Sequence, residues 1–452
     1  MIISFLVVKK YNMERKFLIL PGCDDRNRGD QALIWETVSL AKKAGYIGQY
    51  RMLSDEKGCI QSRERGIDNV SYILQHPSKK FKKSDNTKYT FSLKIKWGIA
   101  SIIDLITKEP LLYKGLRKII KPLYSEDIQN SLQEFENTEV CFVKGGGFLH
   151  AYGGLEETYK IYYFLYHIRL AQSMNKEVFI LPNSFGPFNS PFVKGMLHRT
   201  LSNCKVIMAR EKLSQEQLRN ECGVKSYLFT DIAFHLDVDP FFDSREELRE
   251  KGIPIDSAKC VAITARPYRF TGYDYPEQKY ETYKKSLVLI TEWLSEQGFF
   301  PVFVEHVYDE NSHENDMTCI SDVISSLKKD CNYGVYSNRN LNCSQMKKIY
   351  REFNYIIGTR FHSIIFSLSQ GVPGIAITYG GNKGDGIMND LGLENYAVPI
   401  DVVTGKLLIE KFQEISDNYD QIKSNILERV SILEKEKEQI EQLLRGESRC
   451  HY

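Results

Sequence analysis

The sequence predicts an α/β protein of two Rossmann-like domains facing each other across a cleft. Three observations carry this. Apolar runs of strand length alternate with amphipathic helical segments through both halves of the chain, the pattern of parallel βαβ units. A polar, proline-containing stretch, Asp237–Pro254, interrupts the rhythm midway and reads as a linker. The chain has 452 residues, too many for one ordinary core when a domain holds roughly 100 to 200. The divisions read as 13–240 for the first domain, 255–400 for the second and 401–452 for a C-terminal helical tail.

In the first domain, Phe17–Leu20 is the opening strand, and Met13 just before it is an alternative start of translation. The polar loop that follows places Asn27, Gly29 and Asp30 ahead of a helix, Gln31–Ala44, where loop and first-turn amides can bind an anionic or polar group. The plainer reading of Asp30 is a helix N-cap, worth roughly 1 kcal/mol. From Lys79 to Lys121 the chain carries twelve Lys or Arg against Asp85, Asp104 and Glu109, interleaved with isoleucines and leucines. Such a basic amphipathic insert fits the surface of an anionic membrane, each exposed cation contributing on the order of 1 kcal/mol; the alternative is a solvated face over a packed helix pair. The strand Glu139–Lys144 runs into Gly145, Gly146 and Gly147. Three glycines after a strand are costly in backbone entropy and suggest that a ligand or backbone approaches too closely for any Cβ. A helix near 155–174, the strand Glu177–Leu181, the loop Asn183–Phe188, a helix near 192–201, the strand Val206–Ala209 and Ser226–Phe229 complete this half. Arg210 stands at a strand's carboxyl end.

The second domain repeats the rhythm: strand Cys260–Thr264 ending at Arg266, a tyrosine-rich loop, helix Glu281–Gln297, strand Phe300–Glu305 with His306 at its end, and a helix from about Ser344. Then comes the richest stretch, strand Phe353–Gly358, a helix capped by Thr359 and stopped by Gly371 and Pro373, and strand Val372–Tyr379. Arg360 and His362 fall in the helix's first turn and Lys383 in the glycine-rich loop beyond, so the three converge at one rim of a parallel sheet. The tail from Val403 to Arg445 reads as solvent-facing helix rich in i, i+4 charge pairs.

Composition sets limits. Hydrophobic residues are 42%, charged residues 26% and the formal charge is +2, which gives no reason to expect nucleic acid. No run approaches the roughly 20 apolar residues of a transmembrane helix. Ten cysteines without a C-x-x-C pair read as reduced core residues of a cytoplasmic protein. The sequence lacks a P-loop, GxGxxG after the first strand, HExxH, clustered Cys/His ligands and GxSxG, so no metal and no cofactor is expected. The strand-end residues are mostly Arg, Lys, His and Asn, an inventory suited to a small, multiply charged anion.

Asn27-Arg28-Gly29-Asp30-Gln31-Ala32, Gly145-Gly146-Gly147-Phe148-Leu149, Ala209-Arg210-Glu211-Lys212-Leu213-Ser214, the Asp231 segment, Gly358-Thr359-Arg360-Phe361-His362-Ser363 and Tyr379-Gly380-Gly381-Asn382-Lys383 occur in this order. As a set they resemble the polysaccharide pyruvyl transferases. The resemblance implies a GT-B-like fold, phosphoenolpyruvate as donor, and transfer of a pyruvyl group as a ketal onto sugar hydroxyls of a cell-surface polysaccharide or lipid-linked precursor. It implies Arg210, Arg360 and Lys383 as partners of the donor's anionic groups and His362 as acid or base. Arg266 and the three glycines are expected on the donor side, and Asn27, Asp30, His150 and Asn183 on the acceptor side, with His167 and His306 as further candidates. Competing readings are a GT-B glycosyltransferase using a nucleotide-sugar, which would require a base pocket and a ribose-binding carboxylate, and a non-catalytic glycan or phosphometabolite binder. Oligomeric state is not legible.

Overall fold

The computed structural model describes residues 15–54, 56–77, 81, 91–309, 314–379 and 383–447. Met13 and much of 78–90 lie outside them. Two parallel sheets organise the chain. The first holds β1 (Lys16–Leu20), β2 (Gln49–Leu53), β3 (Ile67–Val70), β4 (Val140–Val143), β5 (Gly146–Ala151), β6 (Glu177–Phe188), β7 (Val206–Ala209) and β8 (Tyr227–Leu228), in the order β3-β2-β1-β4-β6-β7-β8, with β5 added beside the far end of β6. The second holds β9 (Lys259–Thr264), β10 (Phe299–Val304), β11 (Gly334–Tyr336), β12 (Tyr355–Gly358), β13 (Gly374–Thr378) and β14 (Ala397–Pro399), in the order β11-β10-β9-β12-β13-β14. The central strands are buried on both faces, and this is why they read as continuous apolar runs.

Strand order reverses between β1 and β4 in the first sheet and between β9 and β12 in the second. At such a switch point the loops leaving neighbouring strands part to opposite faces and open a crevice at the carboxyl ends. The segments that follow these four strands carry Asn27 and Asp30, Gly147, Arg266, and Arg360 with His362, so topology alone brings the candidate residues to two facing rims.

The halves are tied together there. Asn27 forms an antiparallel bridge with Val307, and the Tyr308 amide donates to the Arg26 carbonyl (3.3 Å). Buried Arg28 donates to the Arg339 carbonyl (2.8 Å) and lies over the Tyr308 ring. Lys347 donates to the carbonyls of Ala233, Phe234 and Leu236. One apolar cluster runs from Phe17 and Phe142 of the first domain to Ile263 and Ile357 of the second, while the other face of the first sheet has its own core around Leu18, Phe135 and Tyr166.

Three expectations change. Gly145–Gly147 is not a loop throughout: β5 starts at Gly146, and β6 extends through the predicted loop 183–188 to pair with it. Helix Phe361–Leu368 begins after Arg360, which occupies the N-cap position, whereas the Thr359 hydroxyl bonds the Tyr283 hydroxyl (2.8 Å) instead of capping. The C-terminal segment is not a solvent-facing tail. Helix Tyr419–Arg445 buries Ile422, Ile426, Leu433, Ile440, Leu443 and Leu444, and returns to the first domain: the Tyr46 hydroxyl donates to the Leu444 carbonyl (2.8 Å), and Lys437 pairs with buried Glu36 (3.1 Å).

Candidate active site

A cleft of about 420 Å³ opens between the two rims. From the first domain it is lined by Asn27, Asp30, Gly147, His150, Tyr152, Ser184 and Gly186, and from the second by Arg266, Tyr268, His306, Val307, Glu314, Arg360, Phe361, His362 and the end of β13 through Tyr379.

The floor on the first-domain side is a helix start. Asn27 caps helix Arg28–Lys43, its carbonyl oxygen accepting from the Gly29 (3.2 Å) and Asp30 (3.3 Å) amides while its amide group donates to Asp30 (2.9 Å). Asp30 is therefore the residue being capped, not the cap. Its other carboxylate oxygen pairs with Lys144 from the end of β4, a lysine almost wholly buried. Gly29 touches the second domain. A Cβ built there would stand 2.0 Å from His362 Nδ1, so only glycine lets this helix rest against the imidazole.

Behind His362 lies a buried charge chain. Its Nε2 stands 3.9 Å from Asp231 Oδ2; Asp231 is fully buried and accepts from Arg210 and from the Ala233 amide (2.9 Å). Burial pushes the Asp231 carboxyl up, but Arg210 and His362 outweigh it and leave its pKa lowered. Arg210 donates through Nε to Ser184 Oγ (2.8 Å), and its Nη2 has no hydrogen-bond partner among the described residues.

On the second-domain side, Arg360 is held by Asp316 (Nε, 2.7 Å) and by the Glu314 carbonyl (Nη2, 2.8 Å) and carboxylate (Nη1, 3.3 Å). Burial lowers its pKa, yet Asp316 and its other anionic neighbours raise it overall. Asp316 also accepts from the His306 and Val307 amides. Arg266 donates to the Tyr379 hydroxyl (2.6 Å), lies over the Tyr379 ring and reaches Glu314 (3.5 Å); its Nε is without a partner among the described residues. His306 bonds Tyr350 through Nδ1 (3.2 Å) and leaves Nε2 unpartnered among the described residues. Burial first, then the charges of His362, Arg360 and Arg28, hold its pKa well below the usual value, so the ring stays neutral.

Asn27, Asp30, Gly147, His150, Arg266, His306, Arg360 and His362 thus meet in one cleft. Others do not. Arg210 lies beneath the wall, its guanidinium spent on Asp231 and Ser184, so a role as direct donor ligand gives way to one of supporting Asp231. Asn183 is fully buried and holds the Lys144 and Leu181 carbonyls (both 2.8 Å). Gly145 and Gly146 sit behind the lining, where a Cβ at Gly145 would crowd the Pro182 carbonyl and Leu33. His167 is in the core between Phe135 and Tyr166, its pKa lowered to about 3 by burial. Lys383 opens helix Lys383–Asp390, and its side chain lies outside the described residues. Sequence reasoning missed Asp316 and Glu314, which no motif marks, and the cleft roles of Tyr268, hinted at only by the tyrosine-rich loop, and of Tyr379, named only as part of a motif. Asp231 was seen as part of a pattern, without its two partners.

Residues 27–381 match the family model for polysaccharide pyruvyl transferase. The chain belongs to the polysaccharide pyruvyl transferase family. The amylovoran biosynthesis protein AmsJ of Erwinia amylovora is 23% identical over 318 residues, covering 69% of this chain and 72% of AmsJ. Among solved structures, a glycosyltransferase from Rickettsia africae aligns at TM-score 0.51 and 13% identity over 96% of this chain and 99% of its own. Anabaena HepE, solved with UDP-glucose, aligns at TM-score 0.53 and 9% identity over 95% and 98%. At such identities these structures establish the GT-B-like fold and nothing about substrate. Membership of the family makes the chain a transferase of polysaccharide biosynthesis.

Proposed function

We propose that this transferase takes phosphoenolpyruvate as donor and moves its pyruvyl group, as a ketal, onto two hydroxyls of a sugar in a cell-surface polysaccharide or its lipid-linked precursor, working on the cytoplasmic side. The reading rests above all on the cleft rim on which His362, backed by Asp231 and Arg210, lies beside the cationic pair Arg266 and Arg360. The Glu314 carboxylate bridges those two arginines at 3.3 and 3.5 Å and is half-exposed. It occupies the position that a donor carboxylate or phosphate would take, and exchanging one anion for another leaves both guanidinium groups compensated.

In the reaction, the His362 imidazolium gives its proton to C3 of phosphoenolpyruvate, turning the methylene into a methyl and leaving a cationic centre at C2. Asp231 supplies the counter-charge and orients the ring. One sugar hydroxyl adds to C2 and gives its proton to the now neutral His362 ring, which passes it to the departing phosphate. The C2–O bond to phosphate then breaks, phosphate leaves with one proton, and the second hydroxyl closes the ketal, its proton restoring the imidazolium. His306, its pKa held well below the usual value by burial, lines the same cleft beside Arg360 and His362. Lys383 is retained as a donor ligand on the family pattern alone.

Thermal stabilisation by phosphoenolpyruvate against a panel of UDP-, GDP- and CMP-sugars tests this reading. An upward shift with phosphoenolpyruvate alone is expected. A shift with a nucleotide-sugar and none with phosphoenolpyruvate would replace it with the glycosyltransferase alternative, and stabilisation without any phosphate release in the presence of acceptor would favour a binder.

A further inference from the structure

Helix Phe91–Lys108 has two apolar faces, and only one is used. Leu93, Trp97, Ala100 and Asp104 form the packed side, with Asp104 accepting from the Tyr159 hydroxyl (3.1 Å). On the opposite side Ile95, Ile99, Ile102, Ile103 and Ile106 recur at helical spacing and are 47% to 68% exposed. The next helix, Lys114–Ile120, packed like the first on the short segment Glu109–Leu112, also exposes Leu116 and Ile119, and Leu123 follows at 81% exposed. A row of large exposed apolar side chains this wide normally meets a partner, and among the described residues this face has none.

The charge around it says what the partner is. From Phe91 to Leu123 the acids, Asp104 and Glu109, are turned inward onto Tyr159, Tyr162 and Arg169, while Lys94, Lys96, Lys114 and Lys118 are exposed. Exposed apolar side chains framed by exposed cations of one sign match a layer with an anionic surface over a hydrocarbon interior. They oppose a two-fold contact with a second copy, which would set these lysines against one another. Among the described residues no helix is long and apolar enough to cross a membrane, so contact would be peripheral. The patch is also mounted on the acceptor wall. Its helix packs on helix Gly154–Ser173, whose Lys160 reaches His150 of the cleft (3.2 Å), and exposed Leu155 and Tyr152 lie at the start of the same wall.

We propose that the face built by Ile95, Ile99, Ile102, Ile106 and Ile119 inserts into the surface of an anionic phospholipid bilayer and sets the acceptor side of the cleft toward it. The proposal extends the pyruvyl-transfer reading by giving a lipid-linked acceptor its route, but its test does not need catalysis. The full chain is floated with vesicles of phosphatidylcholine containing 30% phosphatidylglycerol, and with phosphatidylcholine alone, at low and high salt.

Most of the protein should float with the anionic vesicles at low salt, and at least tenfold less with neutral vesicles. Ile102→Glu/Ile106→Glu/Ile119→Glu should abolish flotation at any salt, and Lys94→Glu/Lys96→Glu/Lys114→Glu/Lys118→Glu should reduce it at least tenfold, both variants keeping the wild-type melting temperature and phosphoenolpyruvate shift. Absence of flotation at low salt, or flotation indifferent to both variants, overturns the proposal. A concentration-dependent dimer dissolved by the isoleucine variant would assign the face to a second copy instead. Loss of the phosphoenolpyruvate shift in the wild type, with flotation intact, would count against the donor and not against this surface.

Discussion

The His362 imidazole, on the second domain, is held against the first domain on two sides: Gly29 presses on one edge, and Asp231, held by Arg210, faces the other. A general acid in such a setting is expected to matter chiefly for turnover. His362→Gln should keep the wild-type melting temperature and lower kcat by about 100- to 10,000-fold, measured as phosphate release; unchanged turnover would remove the ring from the chemistry. Glu314→Gln acts in the other direction. Removing the carboxylate that bridges Arg266 and Arg360 leaves both cations for the donor, so KM for phosphoenolpyruvate should fall, and a rise would show that Glu314 helps to hold the donor. At this scale the sequence was a partial guide. Arg360 and Arg266 were recognisable from their places at strand ends, yet their carboxylate partners were not, because Asp316 and Glu314 are distant in the chain and fit no short pattern. Arg210 differs for the same reason: its strand-end position is correct, but the partners that hold it, Ser184 and Asp231, are distant in the chain and fit no short pattern.

Among elements, the junctions were more legible than the strands' extents. Val206–Ala209 was read with its observed ends, and Gly371 ends its helix with positive φ as expected. Short strands such as β2 and β3, each five residues or fewer, carry too few apolar positions to stand out, and β5 hid within glycines because its pairing with β6 is long-range. The element contact that matters most is helix Arg28–Lys43 against helix Phe361–Leu368 through Gly29. Gly29→Ala would place a methyl 2.0 Å from the imidazole nitrogen. Its expected effect is a large loss of kcat with secondary structure retained by circular dichroism, since the ring or the helix start must shift, and a shift of 1 Å in a catalytic group costs on the order of 100-fold. Wild-type kcat in this variant would contradict the tight approach.

For the whole molecule, the C-terminal helix closes the chain onto its first domain. Leu443 is almost fully buried there, so Leu443→Ala should cost about 2–5 kcal/mol in urea unfolding, far more than a solvent-facing tail would show. The tail's charges, plain in the sequence, concealed a buried stripe at the same spacing. Acid should also loosen the fold. His167 and His235 are both lowered to about 3 by burial, with nearby lysines adding to it for His235, so between pH 6.5 and about 3 the unfolded chain takes up protons that the folded chain refuses. Stability should therefore fall as pH drops through that window, and His167→Gln should flatten the slope of midpoint against pH.

The most direct test of the account is a crystal structure with phosphoenolpyruvate bound. The donor should lie in the cleft between the two switch points, its carboxylate and phosphate on Arg266 and Arg360 with Glu314 displaced, and its C3 within about 3.5 Å of a His362 ring nitrogen. Phosphoenolpyruvate found elsewhere, or with its methylene turned away from His362, would contradict it.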